Sequence, residues 1–447
     1  MDDELFNKLK QLALTVYKTI DEGISNGTIQ TNDVIFHKWK VDKLQYTDTG
    51  IKDYGSHIEY VTKKSIAIDE IIESIENSNE FFSALDELNS VFGKSNKLSN
   101  NLKNFLGRFI YRCLSNLKFE VIDNDIVIAA FLKDLRGEPV KYGAKVELQG
   151  IELRSEKIDI VEGITLRQPK IEDLEKEFRE PWFITKHRFH PSAILDIEFL
   201  TRNANEIDTR IEQAIVIFRL FKVGGVKCTT YQLYSDSITD LMATGTVTSH
   251  DTSAVHDTLF ITPEDELKLK SFWSKVNDSI PESFYHTSIT KADYTTIAYN
   301  RYSDALLQNG IFERRIANAI MGLEALYFKP LGEMQELAYR LRIRVSKLLS
   351  ILGYNPYEVK ERINEAYGVR STFLHGGQLD STKKNKLESK YKGTLLLSVL
   401  DYLRISIIVN ILILKEKEEF IDLIDDSLLD GKKEELLNSI ISGAKEF

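Results

Sequence analysis

The run Tyr367-Gly368-Val369-Arg370-Ser371-Thr372-Phe373-Leu374-His375-Gly376-Gly377 reads as the last turns of a helix and its stop. Two consecutive glycines end it, because glycine takes the left-handed cap conformation without a Cβ penalty. The helix is predicted over 357–374, with Pro356 just ahead of it, where proline does no damage. Working outward, no convincing strand occurs after about residue 288. Helical periodicity fits 291–308, 311–328, 332–352, 390–414 and 434–441, and Pro330 falls between two of these segments. Five or six helices with short links imply an antiparallel bundle over 288–447.

Toward the N-terminus the pattern is mixed. Leu5, Leu9, Leu12, Val16 and Ile20 fall at steps of three and four, which predicts an amphipathic helix. Asp2, Asp3 and Glu4 favour the positive end of its dipole, and Gly23 is its expected stop. Strand-like runs follow at 34–39 and 57–61, with helices expected at 66–75, 80–92 and 101–117. At Phe119 the period changes. Residues 119–122 and 126–131 read as two strands of a hairpin joined through Asp123-Asn124-Asp125. Further strands are expected at 146–153, 158–166, 193–200 and 226–234, with one helix at 206–221 closed by Gly224-Gly225. Residues 236–258, rich in Ser, Thr and Asp, read as loop, and Pro263 starts a short helix. The expected order is a mainly helical region at 1–118, a strand-rich α+β domain at 119–287, and the bundle at 288–447.

Composition sets bounds on function. A chain of 447 residues suits two or three domains and builds large cores without disulfides. Its two cysteines, Cys113 and Cys228, cannot supply a structural zinc site alone, and the count suits a reducing cytoplasm. The first twenty residues lack the basic-then-apolar layout of a secretory signal. The apolar stretch 395–414 contains Asp401, Arg404 and Asn410, which are costly in lipid, so a buried helix is expected there. No repeat or low-complexity tract is present. The net charge of −10 makes the chain as a whole repel nucleic acid, so any nucleic-acid binding requires a local basic patch.

An arginine and a histidine separated by four residues, Arg370 and His375, are the informative pair. With eight histidines and an arginine frequency near 5%, about one such match arises by chance in a chain of this size, so spacing alone decides nothing. Three further segments supply context: Phe312-Glu313-Arg314-Arg315-Ile316 running into Gly322-Leu323-Glu324-Ala325-Leu326, then Glu336-Leu337-Ala338-Tyr339-Arg340-Leu341-Arg342, then Leu400-Asp401-Tyr402-Leu403-Arg404. In this order around the Arg–His pair, over roughly a third of the chain, 288–447 resembles the ApeA-like HEPN domain family of ribonucleases. A looser likeness covers 214–222, where "AIVIFRLFK" is followed by a glycine pair.

The resemblance implies a metal-independent endoribonuclease acting on single-stranded RNA, for instance a tRNA loop, in phage defence or toxin action. It also implies a cytoplasmic homodimer with a composite site across a two-fold interface. No cofactor, metal or membrane is implied. The chemistry fits the residue types. Cleavage without metal needs an acid and a base near neutrality, which histidine supplies. The phosphorane needs planar cationic donors, which arginine supplies. Only RNA carries the 2′-hydroxyl nucleophile. On an ideal helix the two residues lie about 140° apart, so either the glycine stop turns His375 back or the second chain completes the site.

Supporting positions are Ser371, Glu324 and Tyr367. Ser371 stands where many similar toxins carry Asn, Asp or His; its hydroxyl can donate to phosphate but is no acid near neutral pH. Glu324 lies beside an apolar stripe, where a carboxylate must be paired or protonated; it either orients Arg370 or serves as a buried structural partner. Tyr367, one turn before Arg370, faces the site or the core. Arg340, Arg342, Arg344, Lys347, Arg314 and Arg315 are candidates for an RNA backbone track, or else a solvated face. His187 and His190, and His250-Asp251 with His256-Asp257, lack a third metal ligand at recognisable spacing. Two rival readings stand: an inactive HEPN dimerisation or RNA-binding module with sensing in the N-terminal region, and a metal-dependent hydrolase built on 250–257.

Overall fold

The computed structural model describes residues 2–29, 31–47, 50–66, 68–113, 123–178, 191–203, 205–238, 245–248, 257–285, 293–307, 311–329, 336–413 and 416–445. An α+β region precedes an all-helical region, as periodicity predicts. The first helix, α1 (Asp2–Asn26), buries Leu5, Leu9, Leu12, Val16 and Ile20, each at most 1% exposed. Each such side chain contributes about 1.5–3 kcal/mol of burial. α1 does not stop at Gly23. It runs to Asn26, and Gly27 takes the positive φ of 75° that ends it.

Strands β1 (Thr31–Thr47) and β2 (Gly50–Ile66) form a long antiparallel ribbon. Helices α2 (Ile68–Glu76), α3 (Asn79–Phe92) and α4 (Asn96–Cys113) then pack with α1 into one apolar core. α5 (Asn124–Leu135) joins them and overturns the expected hairpin at this point. Asp123 is the N-cap of α5, accepting from the amides of Asp125 and Ile126. Its carboxylate thus starts a helix instead of a turn. Val127, Ile128, Phe131 and Leu132 form the buried stripe, a helical and not an alternating pattern. The expected strand at 119–122 lies outside the described residues.

A six-stranded antiparallel sheet follows. Its strands are β3 (Val140–Gln149), β5 (Lys157–Val161), β6 (Ile164–Arg167), β8 (Ala193–Thr201), β9 (Lys227–Ser235) and β10 (Gly245–Thr248), in the spatial order β10-β9-β3-β8-β6-β5. The expected strand at 158–166 is therefore a hairpin of two. The expected loop at 236–258 contains β10, paired with β9. β4 (Ile151–Leu153) pairs in parallel with β11 (Leu259–Ile261), and β7 (Lys176–Phe178) adds to β1. A single turn, α6 (Ile171–Leu174), presents Asp173 to Arg167 through two bonds of 2.6 and 3.1 Å and to Lys145 at 3.0 Å. Burial alone would raise the Asp173 carboxyl. The Arg167 bonds, the Lys170 amide and Lys145 outweigh it and hold the group at about 2.

α7 (Glu206–Phe221) matches the predicted helix residue for residue. Its second half is buried nearly all round, through Ile215, Val216, Ile217, Phe218, Leu220 and Phe221. Such a helix lies between two apolar layers: it packs on β3 and β8 and also meets the helical region. One core accordingly runs from the sheet through α7 and α8 (Asp265–Val276) into the bundle.

The bundle comprises α9 (Tyr294–Leu307), α10 (Phe312–Tyr327), α11 (Leu337–Ile351), α12 (Pro356–Leu374), α13 (Ser381–Tyr391), α14 (Leu395–Leu412), α15 (Lys417–Asp426) and α16 (Gly431–Ile440). Two of these were not foreseen, α13 and α15. The segment expected as one helix over 390–414 is broken at Lys392 and Gly393, both with positive φ. α14 has a mean hydropathy of 1.9 over 18 residues, enough by length and composition to cross a membrane. It is instead the central helix of the bundle, 72% buried and touching α9, α10 and α12. Its polar residues are satisfied internally. Asn410 donates to the Ser406 carbonyl at 2.8 Å, and the Ser406 hydroxyl bonds Tyr327.

Candidate functional site

α12 starts cleanly because Asn355 caps it, accepting from the amides of Tyr357 and Glu358, with Pro356 in the first turn. It ends in a Schellman motif. The Gly377 amide donates to the Thr372 carbonyl (2.9 Å), the Gly376 amide to that of Phe373 (3.0 Å), and Gly376 takes φ 78°. This geometry makes His375 the C-cap, with φ −87° and ψ 14°. Its amide bonds the Ser371 carbonyl, and the residue is exposed. The left-handed turn thus falls at Gly376 and leaves His375 as the last residue of the helical path.

Arg370 sits on the flank of α12 that meets α10. Its Nη2 donates to Glu324 Oε2 at 2.8 Å, and the two side chains are 23% and 14% exposed. The Tyr367 ring lies beside the guanidinium, 5.4 Å from Cζ to the ring centroid, a cation–π contact. Glu324, Tyr367 and Arg370, spread over 46 residues of sequence, therefore form one cluster. Burial raises the Glu324 carboxyl above the ordinary glutamate range, with Arg370 and the Tyr367 hydroxyl opposing it. Burial and the Glu324 charge raise the Tyr367 phenol. Glu324 Oε1 and Arg370 Nε are both buried without a hydrogen-bond partner. Ser371 is half-buried next to this cluster in sequence.

The raised carboxyl has a thermodynamic consequence. The folded chain holds the Glu324 proton more tightly than the unfolded chain. Its contribution to stability is thus present at low pH and is lost as the pH rises from the ordinary glutamate value through the raised one. Glu324→Gln, which keeps a hydrogen-bond acceptor for Arg370, is expected to remove that slope. Urea unfolding of both proteins across pH 4 to 7 checks this; parallel stability curves would contradict it.

The expected cation track does not assemble. Arg344 is 2% exposed and buried in a structural role: Nε and Nη2 hold Asp425 at 2.9 and 2.7 Å, and Nη1 donates to the Tyr327 carbonyl at 2.7 Å. Arg315, 8% exposed, donates to the Ala305 carbonyl and pairs with Asp257. Neither can reach RNA, because a buried guanidinium must be saturated by protein partners. Arg342 is engaged by Asn364 at 2.8 Å and by the Tyr339 ring, and Lys347 by Glu434 at 2.8 Å. Arg340 is half-buried, and Arg314 is exposed.

Two features went unread in the sequence. Arg404, 5% exposed, donates Nη1 to the carbonyls of Leu220 and Phe221 at 2.8 and 3.0 Å and grips Asp401 with Nε and Nη2. It thereby caps the C-terminus of α7, and the Tyr302 hydroxyl does the same for the Arg219 carbonyl. The 214–222 segment is thus the buried joint between sheet and bundle. The other feature is a group of lysines on α13, recognisable from the spacing Lys383-Lys384-Asn385-Lys386.

Among the described residues no group of three or more His, Cys, Asp or Glu side chains is placed to hold a metal ion. His187, His190, His250, Asp251 and His256 lie outside the described residues. No family model matches the chain, and neither a curated protein nor a solved structure matches it.

Proposed function

We propose that the chain is a HEPN-type endoribonuclease that cleaves single-stranded RNA without metal, working as a homodimer. Arg370 is the phosphate-stabilising donor and His375 the general acid or base. One observation carries this reading. Arg370 is fixed by Glu324 and Tyr367 on one flank of α12, while its Nη1 has no protein partner among the described residues. His375 stands exposed at the end of the same helix. A held guanidinium with a remaining donor and a free imidazole are the two groups that transesterification through a 2′-hydroxyl requires. The two-fold arrangement resolves the angular separation of the pair, since the same patch from each copy meets across such an interface.

A sensing role for the α+β region has a physical foothold. An open, largely polar cleft of about 500 Å³ lies between α7 and α8, lined by Arg210, Gln213, Trp273, Glu282 and Tyr285. That size is within the range of small-molecule sites. α7 links it to the bundle through Arg404.

The inactive-module reading is favoured by the same ion pair that holds Arg370, because a salt bridge alone explains an arginine beside Glu324. Incubation of purified protein with total tRNA in EDTA separates the two. The proposal expects fragments with 2′,3′-cyclic phosphate and 5′-hydroxyl ends. Intact tRNA from a folded dimer, with and without phage-infected cell extract, would leave the inactive module as the better reading.

A further inference from the structure

We infer that α13, the short helix directly after the Arg370–His375 segment, is the surface that holds the phosphate backbone of a single-stranded nucleic acid. Residues 378–393 contain five lysines, Lys383, Lys384, Lys386, Lys390 and Lys392, against two carboxylates, in a chain whose net charge is −10. The lysines have different fates. Lys390 is spent on structure, pairing with Glu361 at 2.8 Å and Glu365 at 3.0 Å on α12. Tyr391, 8% exposed, and Leu387 seat the helix on the core, and Arg362 of α12 lies 5.6 Å from the Tyr391 ring centroid. The helix is therefore pinned along one side.

Lys383, Lys386 and Lys392 are exposed and Lys384 is half-buried. No ion pair joins any of the four to Asp380, Glu388 or another carboxylate among the described residues; Asp380 instead caps the helix at the Lys383 amide. Three cations of the neighbouring bundle helices behave differently. The cations at 315, 344 and 347 are each matched by a carboxylate. Four uncompensated lysines clustered within ten residues of an acidic chain make a local positive field that attracts a polyanion.

Placement ties this surface to the candidate site. Ser381, the first residue of α13, is six residues after His375, so the connecting chain spans at most about 20 Å. The Lys390 pairs to Glu361 and Glu365 bring the far end of α13 back beside the first half of α12. The lysines thus lie alongside the helix that ends in His375. The inference rests on the ribonuclease reading only for the choice of RNA as the polyanion.

The test uses the full chain carrying His375→Ala, so that substrate survives, with a labelled 20-nucleotide single-stranded RNA. Affinity is followed by fluorescence anisotropy between 50 and 300 mM salt. Each neutralised phosphate contact contributes about 0.7 to the log–log salt slope on a single strand. The quadruple variant Lys383→Gln, Lys384→Gln, Lys386→Gln, Lys392→Gln is expected to lose about 2–3 from that slope. Glutamine preserves helix propensity, and far-UV circular dichroism verifies α13 and the fold. The control Lys94→Gln, Lys97→Gln, on exposed lysines of the N-terminal region, is expected to leave the slope unchanged. An unchanged slope in the quadruple variant overturns the inference, as does an equal loss in the control. Binding to phosphatidylserine vesicles without RNA binding also overturns it and makes the surface a lipid one. The two readings fail separately. Slope loss with no cleavage by the wild type keeps the track and removes the ribonuclease; cleavage with an unchanged slope does the reverse.

Discussion

His375→Ala is expected to lower RNA cleavage in EDTA by about two to four orders of magnitude, the usual contribution of a positioned general acid or base. Arg370→Ala is expected to lower it by about two to three orders, the usual loss when one donor to a developing oxyanion is removed. The two losses should not add in the double variant, because the groups act on one transition state. His375 is exposed at a helix end, so its truncation leaves packing intact and the thermal midpoint should stay close to the wild type. Arg370 differs. Its removal strands Glu324, whose Oε1 already lacks a partner, and some stability is lost as well. Arg370→Lys separates the effects: lysine keeps the charge beside Glu324 but cannot offer two planar donors. Stability is expected to recover with lysine while cleavage does not. Single-turnover cleavage and urea unfolding on the same preparations read both. Full cleavage by folded His375→Ala would remove this residue from the mechanism.

Arg404→Leu is expected to cost about 3–5 kcal/mol of stability, the range for breaking one partner of a buried ion pair. Its side chain is 6% exposed and its guanidinium makes four hydrogen bonds, two to Asp401 on α14 and two across the joint to α7. Leucine supplies volume but leaves the Leu220 and Phe221 carbonyls and the Asp401 carboxylate without their donor. Asp401 retains the Tyr354 hydroxyl at 2.7 Å and is 30% exposed, so the loss should fall near the lower end of that range. The double variant Asp401→Leu, Arg404→Leu should recover part of the loss, because no charge is then stranded. Urea denaturation with a double-mutant comparison checks this. A loss under about 1 kcal/mol for Arg404→Leu would mean that the joint is held by apolar packing alone.

Much of the architecture is local and was therefore legible. The 3.6-residue period of α1, α10 and α12, the full span of α7, the strand character of β8 and β9 and the glycine stop at Gly376 all depend on neighbours within a few residues. Where two local signals compete, the sequence is ambiguous. Asp123-Asn124-Asp125 suits a turn and a helix cap equally, and the packing of Val127, Ile128, Phe131 and Leu132 into the N-terminal core, with Phe131 4.7 Å from Phe105 between ring centroids, selects the helix. The break at Lys392-Gly393 was similarly hidden between two helix-forming stretches.

The fate of each charge was decided by tertiary structure. Arg340, Arg342 and Arg344 look alike in sequence, yet Arg344 is enclosed by Asp425, 81 residues away, and Arg342 bridges to Asn364. Glu324 meets Arg370 across 46 residues. Lys383, Lys384, Lys386 and Lys392 of α13 meet no carboxylate among the described residues, whereas Lys390 on the same helix is taken by Glu361 and Glu365. Residue type determines that a side chain carries charge, and spacing determines the helix that bears it. Whether the charge meets water, a carboxylate or a carbonyl depends on which distant element the hydrophobic core brings against that helix, and no periodicity within the helix encodes that.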